Sequence, residues 1–398
     1  NNGGDYHIPM SFDPGPLDPT VNIINIEEGA ILDDDQLIQI ESQDANYVEV
    51  KLDGATRHIS GGGNFEFTTN TEDLSYGTHQ LTAFARRDNQ RVMADIKLVW
   101  NIPDVVEESI PPWYNLGVHD QLDGTVSFSI LAPGKKFISL VGEFNEWDPV
   151  AGLMKYDPAQ GIFWLNFPLG PGEYEYLYII DGDKVVGDPL ATDVNWTDMF
   201  GNEHWASENQ RSVASIGQDD FPWTDDEWVK PNMKDLIIYE MLLRDFTDSG
   251  DLAGLMSKMD YLEDLGVNAI ELMPPTEFPG ETSWGYNPAF FMAFESSYGT
   301  PDDFREFVDE AHARGMAVLI DLVFNHADGS SPYQQMYGND YENSPYMHAE
   351  GNEWGFPDFD HSRTGTRVLA SQTVRHWINE YHVDGYRYDH TPGVGWDG

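Results

Sequence analysis

The chain of 398 residues carries 69 Asp and Glu against 21 Lys and Arg, a formal net charge of −48, and has no cysteine. That charge repels nucleic-acid phosphates and anionic membranes, the lack of Cys excludes disulfides and thiolate metal sites, and no apolar run is long enough to span a bilayer. Hydrophobic content of 40% and aromatic content of 13% suit two or three packed domains. The charge reads as a solvated acidic surface, as in a halophilic or extracellular protein. With Asn1 reading as a processed start, the expected location is secreted or cell-surface.

Residues 1–105 alternate apolar and polar in short runs, at 21–26, 37–40, 47–52, 80–85 and 94–100, with Asp53-Gly54 and Gly61-Gly62-Gly63 as punctuation. Short strands at this spacing predict an immunoglobulin-like β-sandwich. No chemistry is visible in it, and a spacer is the expected role.

An acidic, proline-bearing stretch at 102–112 reads as a linker. A second all-β domain is expected over 106–225, with alternating runs at 125–130, 137–142, 162–167 and 172–180. Its G-x-F-N-x-W-D-P stretch at 142–149 and Y-E-Y-x-x-x-x-D-G stretch at 174–182 resemble the glycogen- and starch-binding sandwich module that precedes the barrel in branching and debranching enzymes. That resemblance makes Trp147 and Trp164 candidate sugar platforms, since a flat aromatic face suits the apolar face of a glucose ring. Asp183-Lys184 stand where binding versions of the module carry an aromatic. A module that only buttresses the next domain is the competing reading.

From 226 to 398 strands alternate with helices, the pattern of βαβ units on a parallel sheet. Strands are expected at 236–241, 269–274, 317–326 and 385–389. Helices are expected at 251–265, with Gly266 as its stop, from Pro301 with Thr300 as N-cap, and over 369–381. In parallel α/β barrels, sites collect at the C-terminal ends of the strands. Two strand ends carry chemistry. The first closes on Asn325-His326. The second is Gly385-Tyr386-Arg387-Tyr388-Asp389, where Arg387 and Asp389 leave the same face. A guanidinium beside a carboxylate keeps it ionised, and an ionised, oriented carboxylate can attack a sugar carbon.

With D-x-x-x-N-H at 321–326, F-P-D-F-D at 356–360 and G-x-R-x-D at 385–389 in this order, the chain resembles the α-amylase family of glycoside hydrolases and transglycosidases. The resemblance implies the first half of a (β/α)8 TIM barrel after two immunoglobulin-like sandwiches. It implies a retaining α-glucan enzyme with Asp389 as nucleophile, Arg387 orienting it and His326 on a substrate hydroxyl. It places Tyr286 against the ring at the cleaved position, with Trp284, Asp321 and His390 also on substrate. Asn325 matches a calcium ligand of many relatives, so a structural calcium is a candidate; no cofactor is required for the chemistry.

A whole barrel has eight units in about 250 residues, and the family's acid/base Glu ends the fifth strand. Neither that Glu nor the strand is among these residues, so the expectation is a fragment, or a chain whose C-terminal half is a separate partner. After Asp389 the chain reads Pro392-Gly393 where typical α-amylases carry Lys-His. Three functions stay open: endo-acting α-1,4-glucan hydrolysis, branching or debranching at α-1,6 linkages, and non-catalytic α-glucan binding.

Overall fold

The computed structural model describes residues 18–394, apart from 33–34, 72–73, 89–92, 198–209, 281, 350 and 353. The chain divides into two compact units, Asn1–Pro103 and Asp104–Gly398.

The first unit holds β1 (Thr20–Ile23), β2 (Ala30–Ile31), β3 (Gln36–Gln43), β4 (Tyr47–Leu52), β5 (Ala55–Ser60), β6 (Phe65–Thr69), β7 (Gly77–Arg86) and β8 (Met93–Asn101). They form a three-stranded sheet, β1-β3-β6, and a five-stranded sheet, β2-β8-β7-β4-β5. Alternation does the sorting: Val48, Val50 and Leu52 are buried while Tyr47, Glu49 and Lys51 are less so. Asp53 (φ 50°) and Gly54 (φ 78°) close the β4–β5 hairpin, since a two-residue turn with positive φ at both positions matches strand twist. The strands β5 and β6 escape the sequence reading because β5 is an edge strand with no buried face.

The second unit begins with β9 (Gly117–Asp120), β10 (Thr125–Leu131), β11 (Ile138–Gly142), β12 (Lys155–Asp157), β13 (Ile162–Pro168), β14 (Gly172–Ile180), β15 (Lys184–Val186), β16 (Val194–Asn195) and β17 (Arg211–Ile216). One sheet runs β12-β13-β10-β9 and the other β11-β14-β17-β16, with β15 on β14. The stretch read as a linker is not free. Ile110 is buried and its N–H donates to Asp157, and Glu108 offers its carbonyl to the Trp164 indole at 2.9 Å. Trp164 is therefore no sugar platform. It is only 4% exposed, packs with Ile110 and Ile162, and has Lys155 over its ring. Trp147 remains 38% exposed, at a left-handed position (φ 60°).

Four parallel strands follow in sequence order: β18 (Ile238–Met241), β19 (Ala269–Leu272), β20 (Ala317–Leu322) and β21 (Gly385–Tyr388). The expected helix over 251–265 is two helices, α1 (Leu252–Met256) and α2 (Met259–Leu265), the second ended by Gly266 at φ 85°. The helix α3 (Pro301–Ala313) starts on Thr300, whose hydroxyl accepts from the Asp303 N–H while the Asp303 carboxylate accepts from Thr300, a reciprocal cap. The last, α4 (Thr364–Tyr381), begins five residues before the apolar repeat suggests.

The second sandwich and the βα sheet share one apolar core, from Val126 and Tyr178 through Ile270, Val318 and Trp377. Tyr337 and Tyr346, in the long connection after β20, donate to the carbonyls of Pro133 and Leu131. Trp196 donates to Glu277 at 2.7 Å. The sandwich thus braces the loops that leave the sheet.

Charged groups at the other end of the sheet anchor the 221–231 junction. The buried His312 of α3 donates from Nδ1 to Asp225 (2.9 Å) and from Nε2 to Asp384 (3.0 Å), beneath the stacked Trp228 ring. His382 shares Asp225 and stacks on Trp223. Burial opposes the imidazolium, but hydrogen bonds and charges from Asp384 and Asp225 outweigh it and hold His312 above its ordinary value. A raised histidine contributes stability that is full below its unfolded value, about 6.5, and is lost as pH rises through the folded one. Urea unfolding of the chain should therefore show stability falling from pH 6.5 into the alkaline range. His312→Gln should remove that slope and cost about 3–5 kcal/mol, the usual penalty for breaking a buried charged contact.

Candidate active site

In β19 and β20 the alternate residues Ile270, Leu272, Val318, Ile320 and Leu322 join the apolar core. The opposite face receives Glu271, Asp321 and, across the register, Arg387 paired with Asp321. Arg387 Nη1 reaches Asp321 Oδ2 at 2.7 Å and Asp389 Oδ1 at 2.5 Å. One guanidinium nitrogen thus bridges the carboxylates of adjoining strands. Asp389 lies just past the end of β21, its N–H bound to the Leu322 carbonyl at 3.0 Å.

Asp321 is 1% exposed, with Oδ1 buried and without a hydrogen-bond partner. Burial raises it to about 6, against the lowering pull of the Tyr286 and Arg387 hydrogen bonds. Tyr286 donates its hydroxyl to Asp321 Oδ2 at 2.8 Å. Burial, then this carboxylate, pushes the phenol up. The loop that delivers Tyr286 needs Gly285: φ is 87°, and a Cβ there would lie 2.3 Å from the Pro274 carbonyl oxygen.

The strand β20 stops at Leu322, four residues short of the expected end. Asn325 and His326 instead lie in an antiparallel bridge between His326 and Asp358. The F-P-D-F-D stretch is thereby zipped onto D-x-x-x-N-H. His326 is buried, with Phe356 stacked on its ring at 4.8 Å. Its Nε2 donates to the Tyr286 carbonyl at 2.8 Å, and its Nδ1 accepts from the Asn325 amide at 3.1 Å. Both nitrogens are thus engaged, and His326 holds the Tyr286 loop rather than presenting a free ring nitrogen. Burial lowers its pKa first, against weaker raising contacts, so the neutral ring is favoured.

Asn325 does not offer a calcium site. Its amide nitrogen is given to His326, and a Cβ built on Gly393 would come within 1.3 Å of its Oδ1. Asp328 accepts from Ser330 and Asn287. Among the described residues no group of three His, Asp or Glu side chains is arranged to hold an ion. The described residues do not fit calcium at Asn325.

Trp284 is 60% exposed, two residues before Tyr286. His390 takes φ 45° and meets Trp354 edge-on at 4.6 Å. The structure thus gathers Asp321, Arg387, Asp389, Tyr286 and His326 by direct contact or through the shared loop. Trp147 lies on the sandwich. Two residues unremarked in the sequence, Glu271 and Trp354, join the site, together with Phe356 of the F-P-D-F-D stretch. The two-residue spacing from Ala269 to Glu271 marks the inward face, whereas nothing local marks Trp354.

Four parallel strands backed by helices, with charged side chains clustered at their C-terminal ends, define a βα-barrel type of catalytic site. Residues 243–354 match the family model described as "Alpha amylase, catalytic domain". Malto-oligosyltrehalose trehalohydrolase of Saccharolobus solfataricus is 36% identical over 214 residues, 54% of this chain and 36% of that protein. The 1,4-alpha-glucan branching enzyme of Mycobacterium tuberculosis is 31% identical over 293 residues, 70% of this chain and 39% of that protein. A pullulanase from Paenibacillus barengoltzii complexed with maltotetraose shares the fold, with a TM-score of 0.59 and 20% identity over 71% of this chain and 49% of its own. Residues 243–354 thus carry the match to the α-amylase family, and the relatives named above extend the similarity beyond that stretch. The chain spans less than half the length of these relatives.

The Tyr286 hydrogen bond lowers Asp321. Tyr286→Phe should therefore move the Asp321 carboxyl midpoint upward from about 6 in an NMR pH titration. An unmoved midpoint would mean that the hydroxyl contact is not populated.

Proposed function

We propose that the chain carries the nucleophile half of a retaining α-glucan site. The observation that carries the reading is the Arg387 bridge between Asp321 and Asp389, with the Tyr286 hydroxyl completing it. Asp389 attacks the anomeric carbon, its carboxylate oxygen forming a bond to C1 as the glycosidic C–O bond breaks. The departing oxygen takes a proton from a second carboxyl group, which in retaining sites lies about 5–5.5 Å from the nucleophile. Water or a sugar hydroxyl then releases the glycosyl-enzyme, giving its proton back to that second group.

Among the described residues, none is proposed as that second carboxyl. We place it outside the described residues, in a segment that would meet the β21 edge of the sheet. Arg387 and Tyr286 orient the nucleophile and its neighbour, and the buried His326 fixes the loop that carries Tyr286.

Hydrolysis of α-1,4 linkages in starch, glycogen or maltooligosaccharides is the first specificity. Branching or debranching is the second, favoured by the names of the relatives and by Pro392-Gly393, where Gly393 closes on Asn325. Products from amylose and pullulan separate the two. In the complete enzyme, Asp389→Asn should reduce turnover by several orders of magnitude while leaving oligosaccharide binding within a few-fold. Near-normal turnover would remove Asp389 from the nucleophile role, and binding with no turnover by the unsubstituted enzyme would leave only a glucan-binding protein.

A further inference from the structure

We propose that Trp354 is a stacking platform for a glucose ring next to the one held at Asp389, and so sets how long a glucan the site accepts. The inference rests on the α-glucan reading above and adds to it a subsite and the residue that makes it.

Trp354 is 52% exposed, although a Trp gains more than most side chains from burial. It is nevertheless held in place. The Asn352 side-chain oxygen accepts from the N–H groups of both Trp354 and Phe356, each at 3.0 Å. The Gly355 N–H returns to the Asn352 carbonyl at 3.0 Å, with φ 85° at Gly355. A turn closed by three hydrogen bonds presents the indole to solvent.

The position of that indole ties it to the site. Its ring lies 4.6 Å from His390 at 82°, and 6.0 Å from His326 at 50°. His390 follows Asp389 directly, and His326 holds the Tyr286 carbonyl. About half of the Trp354 surface stays open to solvent beside this contact. The turn itself is anchored from below, because Phe356 stacks on His326. A preordered aromatic face beside a nucleophile binds an apolar sugar face without first losing side-chain freedom. The carboxylate of Asp389, the residue before His390, suits the hydroxyl edge of a neutral sugar and disfavours an anionic one.

The test is titration of maltotriose and maltoheptaose into the complete enzyme, followed by calorimetry and tryptophan fluorescence. Trp354→Ala should weaken maltoheptaose binding about tenfold and maltotriose binding much less, with Trp354→Phe restoring most of the loss and the thermal midpoint unchanged. Equal maltoheptaose affinity for Trp354→Ala and the unsubstituted enzyme would overturn the subsite. The same would follow if Phe failed to rescue or if both ligands weakened alike. Absence of binding by the unsubstituted complete enzyme would instead overturn the α-glucan reading beneath it.

Discussion

A single guanidinium organises the inward face of the parallel sheet. Glu240 and Glu271 stand opposite one another in the β18–β19 register, and Asp321 and Asp389 follow on the next two strands. Burial, then Glu240, raises Glu271, and Arg387 pulls it back. Directly opposed like charges destabilise a sheet, so this face holds together only with a cation among them. Arg387 suits that role better than a lysine would, because its guanidinium keeps its charge at any working pH, and a single nitrogen, Nη1, meets both carboxylates. The same contact that steadies the sheet orients Asp389, so stability and chemistry depend on one residue.

The sandwich of the second unit extends this constraint outward. The connection after β20 is long, and long connections are ordinarily mobile. Here two tyrosines fasten it to carbonyls of the sandwich, and Gln210 donates to the Ser330 carbonyl. At the opposite end, Asp225 and Asp384 on His312 tie the entering segment to α3 and to the start of β21. Asp384 also accepts from the Val318 N–H, so the register of β20 against β21 is fixed from both ends. Rigid support of this kind lets half-exposed groups keep a defined geometry.

The strands β18 to β20 were legible from their apolar runs and β21 from the alternation of Tyr386 and Tyr388 with Arg387 and Asp389, and the Thr300 and Gly266 helix boundaries because cap chemistry is local. The pairing of Arg387 with Asp389 followed from two-residue spacing alone. What the sequence hid was decided by partners distant in the chain. Trp164 looks like any exposed aromatic until Glu108 and Lys155 are brought to it. The split between α1 and α2 lies within a continuous apolar repeat. Trp354 carries no periodic signal, and its turn depends on an asparagine side chain that composition does not single out.

His326 shows how a motif can be read correctly and its work misassigned. The family resemblance implied a ring placed on a substrate hydroxyl. The strand instead stops early, because the peptide groups of Asn325 and Ala327 bond to the F-P-D-F-D stretch. That pairing buries the imidazole between Phe356 and the Tyr286 loop. A buried ring with both nitrogens satisfied is costly to move, so His326 works as a spacer between two loops. Through the Tyr286 carbonyl it fixes the hydroxyl that meets Asp321, and through Phe356 it fixes the turn that carries Trp354. The Tyr286 loop and the Trp354 turn are thereby both set by one histidine.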